Sequence, residues 1–114
     1  MAQNALTPIP FMQFSMEMRS GKIIEHDVGF LNLLGYSESD FDDGIVFKQF
    51  VPSVEYDEVV AALRAQFIES RYVAYKQEFV SKDGKVIPVI AFYKIENKLL
   101  AGHRVIKVSV AIAE

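Results

Sequence analysis

The sequence has no cysteine and no tryptophan, and that narrows its chemistry before any motif is read. Without cysteine there are no disulfides, thiolate metal sites, thiol nucleophiles or cysteine-based photochemistry. A concentrated basic face is missing too. The 12 Lys and Arg are scattered and outnumbered by 15 Asp and Glu, for a net charge of −3. Nucleic acid rewards clustered positive charge, so it is disfavoured as a direct partner. No apolar run approaches the ~20 residues of a membrane helix. The first ten residues lack the basic-then-apolar order of a secretory signal. No membrane partner is expected for this segment, and the cytoplasm is the expected compartment.

What is present is one domain's worth of chain. Of 114 residues, 51% are hydrophobic and 24% charged, which supports a packed core. Pro8 and Pro10 fix φ and lack an N–H, so residues 1–10 read as an extended lead-in and 11–114 as a single domain. Met12, Phe14, Met16 and Met18 alternate with Gln13, Ser15 and Glu17, the period of a half-buried strand. Ser20-Gly21 supplies a turn, and Lys22 to His26 is a hairpin partner.

Asp27 is an N-cap candidate ahead of Phe30, Leu33 and Leu34, and Gly35 suits the left-handed residue after a helix end. Ser37-Glu38-Ser39-Asp40 has the form of a capping box with Asp in the Glu position. The clearest helix spans residues 54–69, capped by Ser53, with Tyr56, Val59, Val60, Leu63 and Phe67 on one stripe.

Three strands follow. Tyr72 to Ser81 places Val73, Tyr75, Gln77 and Phe79 on one face. Asp83-Gly84 is a hairpin signal. Lys85 to Ile95 is apolar on both faces, as in a central strand, with a bulge or unpaired position expected at Pro88. After a turn over Asn97 to Gly102, His103 to Ala113 directs Ile106, Val108, Val110 and Ile112 inward. Val105, Lys107, Ser109 and Ala111 face outward. The expected class is α+β: a five-stranded antiparallel sheet with short helices and one longer helix on one face.

In this order the elements resemble a PAS domain from about Phe11 to Glu114. Asp27 to Phe41 is similar to the N-x-x-F-x-x-x-x-G-Y-S-x-x-E-L pattern of that family, and Lys82-Asp83-Gly84 opens the second half of the sheet as its members do. Asp27 replaces a frequent Asn. Ala111 and Ala113 stand where a terminal Asp-Ile-Thr motif has Asp and Thr, so coupling to a following helix differs in detail.

The resemblance implies a sensory module of a larger signalling protein, not an enzyme, with a histidine kinase, cyclic-dinucleotide enzyme or transcription factor as effector in the full-length chain. It implies a homodimer, and it admits a small-molecule ligand whose identity stays open. A ligand-free dimerisation module is the alternative; a small α+β enzyme ranks third, because no catalytic constellation stands out.

Candidate pocket residues are Phe30, Phe67, Tyr75 and Gln77, the last because a buried amide needs a partner. For the three aromatics, simple core packing is the favoured reading. Candidates for a dimer face are Val105, Ser109 and Ala111. The long helix has no histidine for haem, and a cysteinyl flavin has no cysteine. His26 and His103 read as surface or cap residues. Asp40, Asp42 and Asp43 fail the ligand spacing of a calcium loop, so no metal site is expected.

Overall fold

The computed structural model describes residues 11–113, so the lead-in over 1–10 and the terminal Glu114 lie outside the described residues. Five strands form one sheet: β1 (Phe11–Glu17), β2 (Ile23–His26), β3 (Tyr72–Val80), β4 (Val86–Leu100) and β5 (His103–Ile112). Between β2 and β3 lie α1 (Val28–Leu34), α2 (Glu38–Asp43), a 3-10 turn at Phe47–Phe50, and α3 (Tyr56–Phe67).

The strand order is β2-β1-β5-β4-β3, with every neighbouring pair antiparallel. β2 and β3 are therefore the two edges. The chain leaves the sheet at one edge and re-enters at the other, so the helical segment must cross it, and it covers one face.

That face carries the core. Met12, Phe14 and Met16 of β1, Val108 and Val110 of β5, Val89, Ala91 and Tyr93 of β4, and Val73 and Phe79 of β3 are all buried there. Period-two alternation puts them on one side. The covering layer contributes Phe30, Leu34, Phe47, Phe50, Val59 and Leu63. At the centre, Phe50 meets Phe14, Phe30 and Phe79 edge-to-face, with ring centroids 5.5, 5.3 and 5.2 Å apart. Each such pair adds about 0.5–1.5 kcal/mol beyond the area buried.

The caps read from the sequence are present. Asp27 Oδ1 accepts from the Phe30 N–H at 2.9 Å, and Oδ2 accepts from the Gln13 N–H at 3.0 Å, so one carboxylate ends a strand and starts a helix. Gly35 closes α1 in the left-handed region at φ 76°. Ser37 and Asp40 form the reciprocal capping box of α2.

Four expectations need correction. The long helix begins at Tyr56, and Ser53 does not cap it; Glu55 is the N-cap, without a side-chain bond. A turn closed by Glu55 N–H donating to Pro52 O at 2.9 Å leads the chain in instead. Strand β4 runs on to Leu100, and the hairpin turns at Ala101-Gly102 with φ of 50° and 81°. Asn97 and Lys98 are exposed where the β4–β5 register is irregular, so polar Glu96, Asn97 and Lys98 imitate a loop.

Pro88 causes no bulge, since the β3–β4 register passes through it unbroken. Its carbonyl points toward β5 and accepts from the Ala113 N–H at 3.0 Å. The missing N–H points the same way, beyond Ile112 where β5 ends. The β4–β5 irregularity falls instead between Ile95 and Leu99. Lastly, Val105 faces outward by alternation yet is only 2% exposed. It lies opposite that irregularity, and its partner Glu17 is tied to His103, its neighbour on the same face.

Candidate functional site

A cavity of about 140 Å³ lies between α3, the 3-10 turn and the β1–β5 end of the sheet. Met16 of β1 and Ile106 of β5, cross-strand partners, form its floor. Phe47 supplies one wall, and Tyr56, Val60, Leu63 and Phe67 of α3 supply the other. These four recur at spacings of four, three and four, so one edge of the helix faces the space. The turn after β1 completes the rim with Met18, Arg19 and Gly21, and Arg64 approaches from α3.

Gly21 is required where it stands. Its φ is +74°, and a Cβ there would sit 3.1 Å from the Phe47 Cβ. Its carbonyl accepts from the Phe47 N–H at 2.8 Å. The backbone of the β1–β2 turn therefore packs against the 3-10 turn, which sets the Phe47 ring as a cavity wall. Glu17 also lines the cavity, but its carboxylate is occupied by the Ser20 hydroxyl and by His103 Nδ1 at 2.9 Å. The Ser20 and His103 bonds, in that order, hold its carboxyl below the usual carboxylate range.

Of the four pocket candidates read from the sequence, Phe67 lines this cavity. Phe30 lies in the core against Phe14, with ring centroids 5.2 Å apart. Tyr75 is half-buried against the core cluster. Gln77 is 7% exposed, and its Oε1 accepts the Tyr93 hydroxyl, while Nε2 has no partner among the described residues. Burial holds the Tyr93 phenol far above its ordinary range, so it stays a donor. The Phe47 ring, 6.3 Å from that of Tyr93, packs between the cavity and this polar pair.

Met16, Phe47, Tyr56, Leu63, Ile106 and the two arginines were not singled out as site residues. The α3 stripe was a usable signal, because its Tyr56–Val60–Phe67 edge is less buried than Val59 and Leu63.

The outer face of the sheet offers a second feature. Phe92 is 49% exposed at its centre, flanked across the strands by Ala74 and Ser109, with Ile90 beside Ala111 and Tyr72 near the edge. Ser109 and Ala111 are half-buried there; Val105 is too enclosed to offer contact surface. Lys76, Lys94 and Lys107 share this face.

His26 stacks on Phe41 at 3.6 Å between ring centroids, and its Nε2 lies 2.9 Å from Glu38 Oε1, so it clasps β2 to α2. Asp40 accepts from Lys82 Nζ at 2.9 Å, joining α2 to the β3–β4 turn. Among the described residues, no group of three or more His, Asp or Glu is placed to hold a metal ion, and no helix is long and apolar enough to cross a membrane.

No protein-family model matches the chain, and no curated protein matches it in sequence. Solved structures match in fold. A PAS domain from Colwellia psychrerythraea superposes with TM-score 0.79 at 12% identity, covering 98% of this chain and 93% of that one. A PAS domain of a two-component sensor histidine kinase gives TM-score 0.71 at 12% identity, with the same 98% and 93% coverage. The PAS domain of an HTR-like protein from Haloarcula marismortui gives 0.70 at 20% identity, covering 91% and 87%. The fold is the PAS fold.

Proposed function

We propose that this PAS-fold domain is a sensory and regulatory module that binds a small molecule between α3 and the sheet and passes its occupancy to an effector in the same full-length chain. The observation that carries this reading is the cavity itself: a half-open, mainly apolar space of about 140 Å³ at the edge of the aromatic core, lined by buried Met16, Phe47, Leu63 and Ile106. Interiors fill such spaces unless something else does, because unfilled volume forfeits packing contacts.

The role is regulatory rather than catalytic. A two-component kinase as effector draws support from the histidine-kinase origin of one matching PAS domain; a cyclic-dinucleotide enzyme or a transcription factor would be served by the same mechanism. The cytoplasm is the compartment that suits such an output. A ligand that binds one conformation better than another shifts the population toward it.

A second reading, dimerisation without a ligand, is favoured by the outer face around Phe92, with Ser109 and Ala111 as flanking contacts. Native and denaturing mass spectra of one preparation test both. A mass excess lost on denaturation supports the sensor. A protein of apo mass that is dimeric, and becomes monomeric as Phe92→Glu, supports the dimerisation module instead.

A further inference from the structure

Resting on the sensory reading, we propose that the cavity takes a small apolar monocarboxylate: a body the size of one benzene ring or a short alkyl chain, with its carboxylate at the mouth between Arg19 and Arg64.

Size sets the body. The 140 Å³ available is close to the ~150 Å³ apolar cavity known to hold benzene. Flavins, haem and nucleotides are several times too large. The walls set its polarity. Met16, Phe47, Val60, Leu63, Phe67 and Ile106 offer no side-chain hydrogen-bonding groups, and the Tyr56 hydroxyl is the one such group on the wall, so a polyol or dicarboxylate would strand most of its polar atoms against them.

Charge sets the head group. Arg19 and Arg64 line the same cavity from different elements, both are exposed, and among the described residues neither is paired with a carboxylate. In a chain with 15 acidic residues against 12 basic ones, two such guanidinium groups at one mouth are a local excess of positive charge. The acid that shares the cavity, Glu17, is already occupied by Ser20 and His103. Lys48 adds a third cation, with Nζ 5.4 Å from the centroid of the Tyr56 ring that forms part of the wall. A carboxylate would use the two arginines, a neutral ligand would not, and an amine would be repelled, with Lys48 adding to the local positive field from outside the lining.

The placement also gives the ligand leverage. Arg19 belongs to the β1–β2 turn and Arg64 to the last turn of α3. A carboxylate held by both ties the hairpin to the helix, so it favours the conformation in which the two are close.

The test is an amide-resolved NMR titration of the domain with benzoate, benzyl alcohol and benzylamine at low salt. It is repeated on Arg19→Ala/Arg64→Ala, whose exposed positions should leave the fold intact, as thermal unfolding checks. Benzoate should shift the amides of Met16, Phe47, Leu63 and Phe67 and bind about tenfold more tightly than benzyl alcohol, with benzylamine weakest. The double variant should bring benzoate down to the level of the alcohol and leave the alcohol unchanged. Raising salt should weaken benzoate alone. Equal affinity for benzoate and the alcohol, or benzoate binding indifferent to the arginines, overturns the carboxylate assignment and leaves a sensory cavity standing. Absence of cavity shifts with all three overturns the proposal together with the ligand-binding reading.

Discussion

Gln77 and Tyr93 form a buried polar pair whose energetics can be worked out from the structure and tested cleanly. Gln77 is 7% exposed and Tyr93 1%. The tyrosine hydroxyl donates to Gln77 Oε1, and Nε2 is unpartnered among the described residues. Tyr93→Phe removes the donor and leaves both ends of the amide unsatisfied, which should cost about 1–3 kcal/mol. Gln77→Met, of similar length, strands the hydroxyl but also removes the orphaned amide N–H groups, so it should cost less. The double variant strands nothing and should be close to wild type, because replacing both partners by apolar groups of similar shape is nearly neutral. The two changes should therefore be coupled by about 1–3 kcal/mol, with the double variant more stable than the sum predicts. Urea unfolding reads this directly. With a slope of about 1–3 kcal/mol/M, Tyr93→Phe should lower the midpoint by roughly 1 M at unchanged slope. Additive single effects, or a Tyr93→Phe variant within about 0.5 kcal/mol of wild type, would refute the claim that this pair is a dry, mutually dependent unit.

Two further changes probe the frame around the site. Gly21→Ala forces an L-residue to φ +74° and sets its Cβ against Phe47, so it should cost about 1–2 kcal/mol and shift the Phe47 ring resonances; an unchanged melting temperature would contradict the close packing of the two turns. Asp40 has its carboxyl held below the usual range by the Ser37 backbone N–H first and by Lys82 second. A depressed folded pKa gives stability that is present above the unfolded value, about 3.9, and is lost as pH falls through the folded one. Asp40→Asn should therefore be less stable than wild type at pH 7, and the gap should close below about pH 4. A gap that persists unchanged in acid would argue against the Ser37 and Lys82 contacts as its source.

Much of this architecture is written locally. Met12-Phe14-Met16, Val73-Gln77-Phe79 and Ile106-Val108-Val110 announce their faces by period two, and Asp27, Gly35 and the Ser37–Asp40 box mark helix ends by chemistry that involves residues three or four apart. What the sequence hid was set at longer range. The far end of β4 is polar where its pairing with β5 is irregular and Asn97 and Lys98 are exposed. The 3-10 turn at Phe47–Phe50 has no helical stripe, yet its two rings fill the centre of the core. Val105 obeys the alternation and is still enclosed, by an irregularity on a neighbouring strand and a Glu17–His103 pair joined across 86 residues of sequence separation. The cavity was the least legible feature. Its lining comes from β1, the turn after it, the 3-10 turn, α3 and β5, and no local pattern states that these meet.

The proposed ligand cavity and the proposed outer-face contact share strand β5, which carries Ile106 on one face and Ser109 and Ala111 on the other. Met16 and Ile106 line the cavity from the inner face, while their sequence neighbours Ser15, Val105 and Lys107 belong to the outer one, and Glu17 reaches the cavity rim. The β1–β2 register shifts between Ser15 and Met16, and the β4–β5 register shifts between Ile95, the partner of Ile106, and Leu99. The cavity floor is thus bordered by the sheet's two irregularities, where the ladder is least constrained. On the proposed reading, a ligand pressing on Met16 and Ile106 would bear on these less regular strand segments, and a change of twist there would alter how Ser109 and Ala111 are presented. The energy required is modest, since couplings between sites are typically about 1–3 kcal/mol. A ligand supplies it only through the difference between its affinities for the two conformations, so a preference of about five- to 150-fold is what the coupling requires. Occupancy and outer-face association should accordingly be linked by the same factor in both directions. A dimer that strengthens when the cavity is filled must also raise affinity for the ligand, and a ligand affinity independent of protein concentration across the dimerisation range would dissociate the two.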